Sequence, residues 1–340
     1  MQVGIVGFAG SGKSTLFELL TGARPDPART HSGQVGVAVL ADPRLDFLAT
    51  LHNPKKTTPA TIEFLDTPGL LTGAQAENAQ RLGLIREGDA LLVVLSGFAA
   101  SDPAAELQQF NDELLLADLV VVGNRVERLE ASVKKPRPDR EQQLKELDLV
   151  KRALAVLEEG KTVASLELTP DEKKPMRSFG LLTDKPRVVV LNAPAGPERD
   201  RAIATLGPGS AAIDVKLELE LAALEPDERV AFMAEMEIAE LGRDRVIRLA
   251  YDAVGMITFF TAGEPEVRGW NLERGATAME AAGKIHTDLA KGFIRAEVSA
   301  WDEIHAAGTL KEAKARKLER LEGKNYIVKD GDVIYFRSGL

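Results

Sequence analysis

The stretch from Gln2 to Leu20 constrains the fold of this chain more than any other. Gln2 to Val6 is a short apolar run, and Leu16, Phe17, Leu19 and Leu20 recur at helical spacing. Between them, Gly7-Phe8-Ala9-Gly10-Ser11-Gly12-Lys13-Ser14-Thr15 fits G-x-x-x-x-G-K-[ST], the loop that joins a strand to a helix and cradles phosphates. Its glycines let backbone N–H groups turn inward around a phosphate chain. The start of the following helix adds further donors and a partial positive charge. The expected phosphate contacts are Gly10, Ser11, Gly12, Lys13, Ser14 and Thr15. Lys13 would reach the β- and γ-phosphates as the catalytic residue, and the Ser14 hydroxyl would ligate Mg²⁺. A chain built around this loop is expected to bind a nucleoside triphosphate.

Further apolar runs at 34–40, 60–65, 90–95, 187–191 and 211–215 read as strands separated by helical patterns. This alternation predicts an α/β sheet with helices on both faces. Between 103 and 160 the pattern changes. Leu115, Leu119, Val122, Val126 and Leu129 form one helical stripe, and Leu144, Leu147, Val150, Leu154 and Leu157 form another, with Pro136 and Pro138 between them. The reading is an antiparallel helical hairpin inserted into the sheet domain, its stripes holding the two helices together and its tip open to a partner. After 254, a hairpin (256–261 and 266–272), a helix (276–285) and short strands at 294–298, 326–328 and 333–336 make a small α+β module. The expected domains are therefore 1–102 with 185–253 (nucleotide-binding), 103–184 (helical arm) and 254–340 (C-terminal module).

Composition narrows the function classes. With no cysteine there are no disulfides, thiolate metal sites or cysteine nucleophiles, which fits a reducing cytosol. A net charge of −9 argues against coating nucleic acid through bulk electrostatics, DNA included, and leaves room for a local basic patch. No apolar run is long enough to span a membrane, and Met1 leads straight into the first strand without room for a signal peptide. A cytoplasmic monomer is expected.

A second motif follows the strand at 60–65: Asp66-Thr67-Pro68-Gly69. Asp66 is expected in the Mg²⁺ shell, and the Gly69 N–H is expected to meet the γ-phosphate. The turn-rich segment 24–33 suits a γ-phosphate sensor, with Thr30 as a second hydroxyl ligand for Mg²⁺, Ser32 as the alternative, and His31 as a solvated loop residue. Leu70 occupies the position next to the glycine where a carboxamide would orient the attacking water. It can neither donate nor accept, so unaided hydrolysis should be slow; plain core packing is equally consistent with it. The base is expected to meet Asn192, Ala193 and Pro194 after the strand at 187–191, and Ala195 has no acceptor to read guanine.

With these residues in view, the chain resembles the Obg-like ATPase family of YchF type over nearly its whole length. The blocks carrying the resemblance include Asp42-Pro43-Arg44-Leu45-Asp46, Arg177-Ser178-Phe179-Gly180, Ile257-Thr258-Phe259-Phe260-Thr261-Ala262-Gly263-Glu264, Gly283-Lys284-Ile285-His286-Thr287-Asp288 and Asp330-Gly331-Asp332-Val333-Ile334. The resemblance implies an ATPase on a GTPase-like fold, with a helical arm and a ubiquitin-like β-grasp (TGS) domain. It further implies a hydrophobic residue in place of the water-orienting glutamine, and association with the ribosome or ribosomal RNA in translation or stress regulation. It places Lys216 in the base-flanking loop. The chain departs from the family pattern in several places: Gly10 replaces an asparagine, Ala193 a methionine and Ala195 a glutamate, Thr30-His31-Ser32-Gly33 stands for Thr-Ile-Glu-Pro, and Asp66-Thr67-Pro68-Gly69 for Asp-Ile-Ala-Gly. GTP, or relaxed specificity, is therefore the alternative to ATP, and a nucleotide-dependent ribosome-binding protein with negligible turnover is the alternative to an enzyme. Arg268, Arg274, Lys284, Lys291 and Arg295 are read either as an RNA-facing patch or as a solvated mixed surface.

Overall fold

A computed structural model of the chain describes residues 1–29, 32–98, 102–136, 138–207, 209–238 and 240–339. Strand β1 (Gln2–Val6) passes through the P-loop into α1 (Lys13–Thr21); β2 (Gln34–Val39), α2 (Pro43–His52), β3 (Thr57–Thr58) and β4 (Thr61–Asp66) follow. Next come α3 (Gln75–Ile85), β5 (Ala90–Ser96), the long helices α4 (Pro103–Val133) and α5 (Arg140–Glu158), and α6 (Pro170–Ser178). The chain returns through β6 (Arg187–Asn192), α7 (Pro197–Thr205), β7 (Ala211–Ile213), α8 (Val215–Ala222), α9 (Pro226–Glu235) and α10 (Gly242–Ala253). It ends in β8 (Met256–Ala262), β9 (Val267–Glu273), α11 (Ala278–Ile285), α12 (Thr287–Lys291), β10 (Phe293–Ala300), α13 (Trp301–Ala307), α14 (Leu310–Ala315), β11 (Arg320–Glu322) and β12 (Asp332–Ser338).

Residues 1–36 and 63–246 make one unit, and 37–62 with 247–340 make another. The first contains a sheet of order β2-β4-β1-β5-β6-β7. Strand β1 pairs in parallel with both β4 and β5, and β5–β6 and β6–β7 are also parallel. Every residue of Ala90 to Leu95 is buried, as a central strand covered on both faces requires. The β1–β4 pairing sets Ile5 opposite Asp66. That register brings the P-loop and the Asp66–Gly69 motif to the same end of adjacent strands, although they lie far apart in sequence.

Helix α4 belongs to two cores in turn. Its 31 residues start at Pro103, with Asp102 accepting from the Ala104 and Ala105 N–H groups. Phe110 and Leu114 pack with the sheet strands, while Val122, Val126 and Leu129 pack against Leu147, Val150, Ala153 and Leu157 of α5. The buried line runs Phe110, Leu114, Asp118, Val122, Val126 and Leu129; Leu115 and Leu119, expected on the stripe, are only partly buried beside it. Met176 of α6 joins the same cluster. The Thr169–Glu172 capping box starts that helix.

The second unit holds a mixed sheet of order β11-β10-β12-β8-β9-β3. Strands β8 and β9 form an antiparallel hairpin, β10 and β12 pair antiparallel, and β12 runs parallel to β8. Ala278, Ala281 and Ala282 of α11 share one core with Ile257, Phe259 and Leu272, and Leu45 and Leu48 of α2 share another with Phe260, Val267 and Ile304. Asp42 caps α2 by accepting from the Arg44 N–H, and the Arg44 guanidinium reaches Asp330 at 2.6 Å. Residues 37–62, expected with the nucleotide-binding domain, therefore group with the C-terminal residues, because the apolar stripe of α2 is covered by β8 and β9. The strand expected at 326–328 is absent: Ile327 makes one isolated bridge to Thr277, and the pairing strand is β11. The Asp332 carboxylate draws the Tyr326 hydroxyl and the Lys329 N–H into a turn instead. Among the described residues no helix is long and apolar enough to cross a membrane.

Candidate functional site

The P-loop and the 66–69 motif enclose a cavity of about 450 Å³, lined by Gly10, Gly12, Lys13, Ser14, Thr15, Asp66 and Gly69, by Asp26 and Arg29 from the segment before β2, and by Gln34 at the start of β2. Gly10 and Gly12 have φ of 86° and 93°, left-handed values that turn the loop backbone inward. Ser11, expected among the phosphate contacts, is buried behind the loop. The Lys13 ammonium donates to the Phe8 carbonyl oxygen at 2.5 Å and is almost fully buried. Burial brings its pKa down to about 8, against the pull of Asp66 and Glu106 toward the charged form.

Burial also raises the Asp66 carboxyl above the usual range, opposed by a hydrogen bond from the Ser14 hydroxyl and by the Lys13 charge. One carboxylate oxygen, Oδ1, is buried without a hydrogen-bond partner. An orphaned anionic oxygen beside a hydroxyl is a mismatch for an empty protein interior and a match for a hard divalent cation, which takes oxygen ligands. Ser14 and Asp66 are the residues that would hold Mg²⁺. Thr30, the expected third ligand, lies outside the described residues. Ser32, its alternative, is exposed and takes no part in the cavity lining.

The segment after Asp66 is held on both sides. The Leu70 N–H donates to Gly7 at 3.0 Å, and the Leu70 carbonyl accepts from Ala9 at 2.9 Å. The Leu70 side chain is wholly buried with Val6, Leu82 and Ile85, so it is core packing and has no reach to a water in the cavity. Gly69 lies against the P-loop: a Cβ there would sit 2.8 Å from the Ala9 backbone and 2.9 Å from Lys13 Nζ. From the other side, the Asn78 side chain bonds both the N–H and the carbonyl of Leu71 at 2.9 and 2.8 Å, and the Arg81 guanidinium donates to the Gly69 carbonyl. Sequence reasoning missed Asn78 and Arg81. The available signal was two polar residues on the stripe that carries Leu82 and Ile85 into the core.

The four residues expected at the base behave differently from one another. Asn192 is buried; its amide donates to the Ser11 carbonyl at 3.1 Å and accepts from the Val215 N–H at 3.3 Å. It is a strut between the P-loop and the start of α8. Ala193 is buried in the sheet core, and Pro194 and Lys216 are exposed. None of the four lines the cavity. Asn192→Ala removes both bonds of the strut, and nucleotide affinity is expected to fall roughly tenfold in a calorimetric titration. An unchanged affinity would show that the P-loop holds its shape without it. Of the basic residues considered as an RNA face, Arg268 lies 4.0 Å over the Trp270 ring, and Lys291 pairs with Asp288 at 3.9 Å.

This arrangement is matched in known proteins. The family described as 50S ribosome-binding GTPase matches residues 2–125, and the C-terminal YchF-GTPase family, described as a protein of unknown function, matches 256–339. The chain is 37% identical to the ribosome-binding ATPase YchF of Bacillus subtilis over 99% of each chain, and 39% identical to that of Haemophilus ducreyi over 99% of this chain and 98% of the relative. It is 33% identical to the rice protein Obg-like ATPase 1, over 99% of this chain and 92% of the relative. The solved YchF GTPase of Schizosaccharomyces pombe superposes with a TM-score of 0.84 at 25% identity, covering 99% of this chain and 97% of that one. A phosphate loop facing Asp-x-x-Gly, a leucine in place of the carboxamide, and full-length similarity lead to one assignment: the chain belongs to the YchF family of Obg-like ATPases.

Proposed function

We propose that this protein is a Mg²⁺-dependent nucleoside triphosphatase that takes ATP and works as a nucleotide-dependent switch at the ribosome, in the cytoplasm and as a monomer. One observation carries the reading: Ser14 and the orphaned Asp66 Oδ1 lie beside Lys13 in a cavity walled by the P-loop. Mg²⁺ would neutralise phosphate charge between Ser14 and Asp66. Lys13 and the inward N–H groups of Gly10 to Thr15 then stabilise the charge that grows on the transferring phosphoryl group. Gly69 lies against Lys13 on the opposite wall, where its N–H would meet the γ-phosphate. With Leu70 in the core, no side chain at that position orients the attacking water, so unaided turnover is slow.

The proposed functional parts are a nucleotide-binding domain (1–102 and 185–253, of which 37–62 group with the C-terminal residues), a helical arm (103–184) and a TGS-like β-grasp domain (254–340). The Asn78 amide that clamps Leu71 also reaches Glu113 of α4 at 3.2 Å, so ordering of the 66–71 segment is passed to the root of the arm. Relatives at 37–39% identity are named ribosome-binding ATPases, which supports the ribosome as partner and ATP as nucleotide. Base selection rests on backbone and apolar contacts after β6, since Ala195 offers no acceptor to guanine.

Calorimetric titration of nucleotide-free protein with non-hydrolysable ATP and GTP analogues in Mg²⁺ tests this. Tighter binding of the ATP analogue, lost on chelating the metal, is expected. Equal affinities would make the protein a relaxed nucleoside triphosphatase, and no binding of either would overturn the reading. The core position of Leu70 favours a second reading, a ribosome-binding protein with negligible turnover of its own. Co-sedimentation with ribosomes at low salt, with and without the ATP analogue, separates the two when paired with a phosphate-release assay.

A further inference from the structure

Arg81 has no part in the reading above, yet it bonds the Gly69 segment that forms the wall facing the P-loop. It projects from α3 on the stripe that carries Asn78, Leu82 and Ile85, and its guanidinium donates to the Gly69 carbonyl. Gly69 in turn lies against Lys13 Nζ, so the guanidinium is about one peptide unit from the ammonium. One neighbouring position lacks the group that would otherwise serve hydrolysis: Leu70 is buried.

We propose that Arg81 is a positioning residue for phosphoryl transfer, fixing the Gly69 peptide against the P-loop and adding positive charge beside the γ-phosphate. The inference rests on the triphosphatase reading. A guanidinium bonded to the Gly69 carbonyl fixes the Gly69–Leu70 peptide, whose Leu70 N–H is tied to Gly7, and so restricts the turn that presents the preceding Gly69 N–H. Preorganised donors of this kind act on the transition state far more than on the bound substrate. A cationic group supplied in cis is one established way to speed a P-loop enzyme that lacks other help.

The test uses the full chain with Arg81→Met, which keeps length and removes the charge and the donors, and Arg81→Lys, which keeps the charge. Arg81→Met is expected to lower kcat about 10²-fold with KM for ATP within about threefold, and Arg81→Lys to recover part of the loss. Binding of ADP alone should be unchanged in Arg81→Met, while binding of ADP with aluminium fluoride, which mimics the transferring phosphoryl group, should weaken about tenfold or more. Turnover and analogue binding within twofold of the unaltered protein would overturn the inference. So would an equal loss of ADP and analogue affinity with a lowered melting temperature, which marks a structural role only. If the unaltered protein shows no turnover above Lys13→Ala, the hydrolase reading fails by itself, and the aluminium fluoride arm still decides the part played by Arg81.

Discussion

Replacing Lys13 with alanine is expected to abolish nucleotide hydrolysis, with single-turnover phosphate release from ATP falling by about 10³-fold or more. The ammonium is held by the Phe8 carbonyl at the head of the cavity and buried almost completely. A charge desolvated in this way interacts with a phosphate far more strongly than one in water. Burial already holds its pKa down to about 8, so the unliganded site carries a cation at a cost that a bound phosphate chain would offset. Removing it leaves the nearby charges of Asp66 and Glu106 unopposed, which should also repel the nucleotide. The check is phosphate release at saturating ATP, with urea unfolding midpoints confirming that the variant is folded. Turnover within threefold of the unaltered protein would remove Lys13 from the mechanism and the phosphate site with it.

The second large effect is on stability. Asp118 lies in the middle of the buried stripe of α4, and its side chain is wholly buried. It accepts from the Leu182 N–H at 3.0 Å and from the Thr183 N–H and hydroxyl at 2.8 and 2.9 Å, and it pairs with Arg86 at 2.7 Å. This one carboxylate ties the outgoing helix of the arm to the returning chain just before β6. Asp118→Ala leaves three donors and a guanidinium without their acceptor in a dry site, which costs about 3–5 kcal/mol. For a unit of this size that lowers the melting temperature by roughly 10 °C. Asp112→Ala, at an exposed position on the same helix, is expected to shift stability by no more than about 0.5 kcal/mol. Near-equal melting temperatures for the two variants would show that the arm root does not depend on Asp118.

Local pattern made much of this protein legible. Phosphate binding needs glycines, a lysine and a hydroxyl within a few consecutive residues, so the P-loop can be read without knowing what lies beside it. The same holds for the buried run at Ala90 to Leu95, for the two heptad-like stripes of the arm, and for the Asp66 motif at the end of a strand. Other features depend on which surfaces meet. Leu70 reads equally as a missing catalyst or as core until its side chain is seen among Val6, Leu82 and Ile85. Asn192 looks like a base contact, and only the fold turns its amide toward Ser11 and Val215. Residues 37–62 sit between two nucleotide-site motifs in sequence, yet α2 has an apolar face that β8 and β9 cover. Arg81, Asn78 and Asp118 break their helical stripes with polar groups whose partners lie 12, 7 and 64 residues away. The sequence by itself determined the phosphate chemistry and the periodic elements, because those are set by neighbours along the chain. Tertiary structure decided which buried polar groups have partners and which cavity wall each residue serves, because desolvation and hydrogen-bond geometry depend on what packs across from a residue.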